Sequence, residues 1–220
     1  MRWIVGLLVV FVIGITVSYF IIEPNVERLP IINPVDLEEE MVDPEMLRIG
    51  MGHKIGNFAF KNQNNELITQ KEIEGKVFVA EYFFTTCGTI CPKMNEQMKR
   101  VQFAYSSNEE VKILSFTVDP EIDTVEQMKR YAIGHGAQDG QWHFLTGSKA
   151  KLYEVARKSF FMLKPAEAQN LGDAGSDFIH TNNFVLVDRQ KRIRGYYDGT
   201  SKVEVTTLIE DIQRVLDEKE

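Results

Sequence analysis

Lys76-Val77-Phe78-Val79-Ala80-Glu81-Tyr82-Phe83-Phe84 runs directly into Thr85-Thr86-Cys87-Gly88-Thr89-Ile90-Cys91-Pro92. The first segment is almost wholly apolar and rich in β-branched and aromatic side chains, which predicts a strand buried on both faces. After it a helix is expected as far as about Tyr105, with Met94, Met98, Val101 and Tyr105 on its inner face. The cysteines then lie on the turn between strand and helix, where unpaired backbone N–H groups and the helix dipole favour thiolates. Their spacing places both side chains on one face of a helical turn. There they can share an ion or close a disulfide, whose Cα separation reaches about 6.8 Å. Pro92 is comfortable early in a helix and stiffens the attachment of Cys91.

Working outward from this stretch, apolar runs alternate with amphipathic ones, the pattern of βαβ units around a partly parallel sheet. Asn57 to Phe60 and Glu66 to Ile68 predict a small N-terminal hairpin, and Thr69-Gln70-Lys71-Glu72 has the spacing of a capping box. Val111 to Val118 is a second buried strand ending in Asp119-Pro120, followed by a helix from Thr124 to about Ile133. Trp142 to Leu145 reads as a third strand and Ser148 to Lys158 as a serine-capped helix. Phe184 to Val187 and Ile193 to Tyr196 form a hairpin, and Val203 to Leu216 a closing helix. This element order predicts an α/β, thioredoxin-like fold.

Ahead of that domain, Trp3 to Ile22 carries no charge over twenty residues, enough to cover about 30 Å of hydrocarbon. Arg2 precedes it and Glu23 and Glu27 follow, so the positive-inside rule places the domain on the extracytoplasmic, periplasmic side of a retained transmembrane helix. Residues 23–50 hold four of the seven prolines and the acidic run Asp36 to Glu40, which reads as a tether. The expected division is therefore an anchor at 1–22, a proline-rich acidic linker at 23–50 and one domain at 51–220. The net charge of -7 argues against a nucleic-acid partner, which needs a basic face. With only two cysteines, a multi-bridge disulfide scaffold is excluded.

Two soft thiolates suit copper(I), zinc or another thiophilic metal, copper being the tightest divalent competitor. His180 stands immediately before Thr181-Asn182-Asn183 and a strand. In a thioredoxin-like sheet that strand neighbours the one bearing the cysteine turn, so His180 is the candidate third ligand. His53, His135 and His143 read as solvated or packed. Met94 and Met98 are soft donors near the cysteines, but at helical spacing they read as core filler.

The segments Phe83 to Pro92, Phe116-Thr117-Val118-Asp119-Pro120 and Asp177-Phe178-Ile179-His180-Thr181, running on to Phe184-Val185-Leu186-Val187-Asp188, together resemble the Sco family, also called SenC. The resemblance extends from about Gly56 to the C-terminus. It implies a copper-binding assembly factor of cytochrome c oxidase, with Cys87, Cys91 and His180 binding copper(I) or copper(II) and the cysteines able to cycle between dithiol and disulfide. It also implies a copper-accepting oxidase subunit as client, and a second copper chaperone or a thiol reductant as further partners. Asp119 matches the family's acidic residue and has a secondary role, adjusting the site or ending the strand. Gly88 departs from the proline often found after the first cysteine in related sequences, which loosens the turn and bears on affinity rather than ligand identity.

The competing function is enzymatic, a thiol–disulfide reductase that keeps oxidase cysteines reduced and does not need His180 as a ligand. A peroxidase would want one activated cysteine with a nearby Thr and Arg, and no arginine can be placed by sequence. A zinc hydrolase or dehydrogenase matches by ligand count but lacks an obvious general base.

Overall fold

The computed structural model describes residues 28–162 and 182–218, together with 3, 6 and 11–14 near the start of the chain. By internal contacts the chain divides into two units, Met1–Arg28 with Glu218–Glu220, and Leu29–Asp217. In the first unit, Trp3, Gly6 and residues 11–14 are helical, and no helix among the described residues is long and apolar enough to cross a membrane. Most of the span expected as an anchor lies outside the described residues.

The second unit is built on a seven-stranded sheet. Its strands are β1 (Ala59–Asn62), β2 (Leu67–Thr69), β3 (Val77–Phe83), β4 (Val111–Thr117), β5 (Trp142–Thr146), β6 (Asn183–Val187) and β7 (Ile193–Asp198), in the spatial order β2-β1-β5-β4-β3-β6-β7. The helices are α1 (Pro44–Leu47), α2 (Gln70–Ile73), α3 (Cys91–Ala104), α4 (Val125–Gly134), α5 (Lys149–Lys158) and α6 (Lys202–Asp217). β3, β4 and β5 are parallel and are joined through α3 and α4, whereas the N-terminal hairpin and the β6–β7 hairpin add antiparallel strands at either side. This is the expected α/β arrangement with an N-terminal β-hairpin.

β3 is buried along its whole length because side chains alternate between two apolar layers. Phe78, Ala80 and Tyr82 enter one layer with Leu114, Phe116, Leu152, Ala156 and Phe160. Val77, Val79 and Phe83 enter the other, with Met94, Met98 and Val101 of α3, Met128 and Ala132 of α4, and Leu208 and Ile212 of α6. Met94 and Met98 are 1% and 0% exposed, so both methionines fill the core. The capping box forms as its spacing predicts: Lys71 N–H donates to Thr69 Oγ1 and Thr69 N–H to Glu72 Oε2 at 2.6 Å. Ser148, by contrast, precedes α5 without a side-chain cap bond.

The tether expected over 23–50 is, from Leu29 onward, part of the folded unit. Ile32 pairs with Ile193, Val42 is 1% exposed, and the Asn33 side chain accepts hydrogen bonds from Gly52 N–H at 2.8 Å and His53 N–H at 3.3 Å. Pro34 and Pro44 each open a short helical turn, at Pro34–Asp36 and Pro44–Leu47, with a further single turn at Glu39–Met41 between them, and Ile32, Leu37 and Met41 pack onto the sheet layer that contains Phe78. The low periodicity that suggests a linker is equally the signature of a string of single turns bound side-on to a sheet.

Candidate metal and redox centre

Thr85 to Ile90 carry the chain from β3 to α3, and the turn is closed by Cys87 N–H donating to Phe84 C=O at 3.1 Å. Cys91 is the first residue of α3 and Pro92 the second, where a missing N–H leaves nothing unsatisfied. Ile90, at the N-cap position, makes no side-chain cap bond. The Cys87 sulfur supplies what the cap lacks, accepting the Cys91 N–H at 3.4 Å, and Thr89 Oγ1 lies 3.8 Å from the same sulfur. Both cysteines are free thiols, Cys91 buried and Cys87 half-buried.

Their environments push the two thiols apart. Burial works against ionising Cys87, but hydrogen bonds from the Cys91 thiol and amide and from Thr89 outweigh it and bring the pKa down to about 7. Burial, donation to Cys87 and the nearby charge of Glu81 push the Cys91 thiol far up. Since the thiolate is the nucleophile, metal-free reduced protein is expected to alkylate at Cys87 with a pH midpoint near 7, while Cys91 stays protected. Peptide mapping after an iodoacetamide pulse reads this directly, and equal labelling of both positions would refute it.

His180 lies outside the described residues. Of the described ones, no group of three or more His, Cys, Asp or Glu is placed to hold a metal ion. The Asn182 side chain donates to Asp198, and its backbone carbonyl accepts from Gly199 N–H at 2.7 Å. β6 pairs antiparallel with β3, so its first residue lies toward the end of β3 that carries the cysteine turn. The remaining histidines are packed: His53 Nε2 is 2.8 Å from Ser159 C=O, His143 Nδ1 is 3.3 Å from Asn62 Nδ2, and the His135 ring lies tilted against Tyr131, with centroids 4.3 Å apart. Asp119 is half-buried at the end of β4. Its N–H donates to Thr117 Oγ1 at 3.0 Å and its carbonyl accepts Asp123 N–H at 2.8 Å, which folds the loop back on itself.

Sequence reasoning missed two carboxyl groups around the turn. Asp123 is fully buried and accepts from Thr85 N–H at 3.1 Å, from the Thr85 hydroxyl and from the Thr117 hydroxyl. Glu81 is 1% exposed on the α3 side of β3, where Ser115 Oγ donates to it at 2.5 Å and Trp142 Nε1 donates to Ser115 at 2.8 Å. Glu81 left a readable signal as the single charge inside an otherwise apolar strand. Asp123 left only a faint one, an acid just before the helix cap Thr124.

Fold and centre together define a thioredoxin-like domain with an asymmetric dithiol at the start of its first long helix. Residues 48–217 match the SCO1/SenC family model, and the chain belongs to that family. A SCO1 protein homolog from Bacillus subtilis (strain 168) is 30% identical over 172 residues, covering 77% of this chain and 86% of that protein. The structure of BsSco, a member of the Sco family of cytochrome c oxidase assembly proteins in which a disulfide switch was identified, superposes with a TM-score of 0.64 at 29% identity, covering 77% and 96% of the two chains. ScoI of Bradyrhizobium japonicum, solved with copper bound, shares the fold with a TM-score of 0.58 at 23% identity over 74% and 99%.

Proposed function

We propose that this protein is a copper metallochaperone that binds one copper ion through Cys87, Cys91 and His180 and passes it to the dinuclear copper centre of a respiratory oxidase. The observation that carries the reading is the dithiol itself: two soft donors on one helix-initiating turn, one already biased toward thiolate, toward the end of the sheet at which β6 begins. Two thiolates satisfy copper(I), and an imidazole completes a set that also accepts copper(II). Copper in the B. japonicum protein, and the oxidase-assembly description of BsSco, support the same reading. On this reading residues 3–22 anchor the chain with the domain on the extracytoplasmic side, facing its client.

Titrating reduced full-length protein with copper is expected to reach one ion per chain. His180→Ala should weaken copper(II) at least tenfold while still permitting the Cys87–Cys91 disulfide. Unchanged copper(II) affinity in that variant would remove His180 from the ligand set and favour the second reading, a thiol–disulfide reductase acting on oxidase cysteines. The unequal thiols are what that alternative has in its favour, because a half-buried, acidic first cysteine beside a protected second one is the arrangement that attacks and then resolves a mixed disulfide.

A further inference from the structure

The cysteine turn is held from outside by a group that neither helix capping nor core packing requires. Asp123 sits in the β4–α4 loop and is 0% exposed, so its carboxylate must be satisfied by protein donors. Those donors are neutral: Thr85 N–H, at 3.1 and 3.2 Å to the two oxygens, and the Thr85 and Thr117 hydroxyls. α4 has its own cap, because Thr124 Oγ1 accepts Gln127 N–H at 3.3 Å. The Gln127 side chain then reaches back and donates to Thr85 Oγ1 at 3.1 Å, so that hydroxyl both donates and accepts and its rotor is fixed. Thr85 stands two positions before Cys87, next to Phe84, whose carbonyl closes the turn. Thr117 stands at the end of β4, where it accepts Asp119 N–H. One carboxylate thus ties the exits of two adjacent parallel strands together, immediately below the cysteines.

We propose that Asp123 is a positioning residue for the Cys87–Cys91 pair: by clamping Thr85 to Thr117 it holds the turn in the shape that lets the Cys87 sulfur accept the Cys91 N–H, and so sets the dithiol–disulfide equilibrium. This rests on the reading of the two cysteines as a working pair. The clamped turn stabilises the reduced form, since the sulfur-to-amide bond exists only while Cys87 is free to cap the helix. Closing the disulfide imposes its own narrow Cα separation and dihedral. Releasing the clamp therefore weakens the reduced form more than the oxidised one and moves the equilibrium toward disulfide.

The test equilibrates full-length protein, with copper chelated, against glutathione buffers at pH 7. Protein dithiol and glutathione disulfide exchange for protein disulfide and two glutathiones, and alkylation with mass spectrometry reads the ratio. Asp123→Asn and Thr85→Val are each expected to shift the constant about tenfold toward disulfide, equivalent to about 30 mV for a two-electron couple. Thr85→Ser, which keeps the hydroxyl, should stay within about twofold of wild type, and the Asp123→Asn/Thr85→Val double variant should shift little further than either single one, as expected of residues sharing one contact. Circular dichroism reports whether each variant is folded, and the Thr85 pair carries the test if Asp123→Asn does not fold. Folded variants with the wild-type constant, or shifts that add in the double variant, overturn the clamp. Absence of any Cys87–Cys91 disulfide in the wild type would instead overturn the paired-cysteine reading, and the clamp with it.

Discussion

Arg194→Met is expected to destabilise the folded unit by about 3 kcal/mol, the lower end for breaking a buried ion pair, and to lower the melting temperature by about 6 to 12 °C for a domain of this size. Arg194 is 2% exposed and Asp188 3%. The guanidinium donates to Asp188 Oδ2 at 3.1 Å, to Pro30 C=O at 3.0 Å and to Leu29 C=O at 2.6 Å. One side chain therefore neutralises a buried carboxylate and fastens the start of the N-terminal strap to the β6–β7 hairpin. Methionine fills similar volume without charge, so the measured change isolates the lost polar contacts. Arg192, which is less buried, also pairs with Asp188 at 2.7 Å and keeps the effect from reaching the upper end of that range. Urea unfolding gives the free energy, and limited proteolysis near Leu29 gives the release of the strap. A variant within 1 kcal/mol of wild type, with the strap still protected, would mean that the cluster does not hold it.

That strap also shows where the sequence stops being informative. The strands and helices that carry the cysteine turn are legible because buried parallel strands and amphipathic helices have distinct periods: β3 differs from its expected bounds by a residue at either end, and α3 ends a residue before Tyr105. A capping box is local, so Thr69 and Glu72 could be read directly. Apart from the short helix at Pro44–Leu47, residues 29–50 have little period because they are held by distant groups, Arg194 and the Ile193 backbone among them, and contacts between residues about 160 positions apart leave no local trace. The same holds for Asp123, whose partners Thr85 and Thr117 meet only after β3 and β4 pair. The cysteines were visible because spacing and secondary structure coincide in one segment. The polar network around them was not, because it is assembled across three strands.

Glu81→Gln is expected to stabilise the protein at pH 8 by roughly 3 kcal/mol relative to its effect at pH 4.5. Burial raises the Glu81 carboxyl from 4.5 to about 7, against the opposing bond from Ser115. An acid whose folded pKa is raised holds its proton more tightly in the native state. Its favourable contribution is therefore complete below about pH 4.5 and is lost as the pH climbs through about 7. A gap of this size corresponds to about 3 kcal/mol at roughly 1.4 kcal/mol per pH unit. Glutamine keeps an acceptor for the Ser115 hydroxyl and never ionises, so its advantage grows across that window and then levels off. Denaturant titrations of both proteins at pH 4.5, 6 and 8 measure the trend, and a difference that does not change with pH would show that Glu81 is not the titrating group. Glu81 shares its face of the sheet with Cys91, whose thiol its charge holds up. The same substitution should therefore make Cys91 easier to ionise, which links a costly buried carboxyl in β3 to the inequality of the two sulfurs above it.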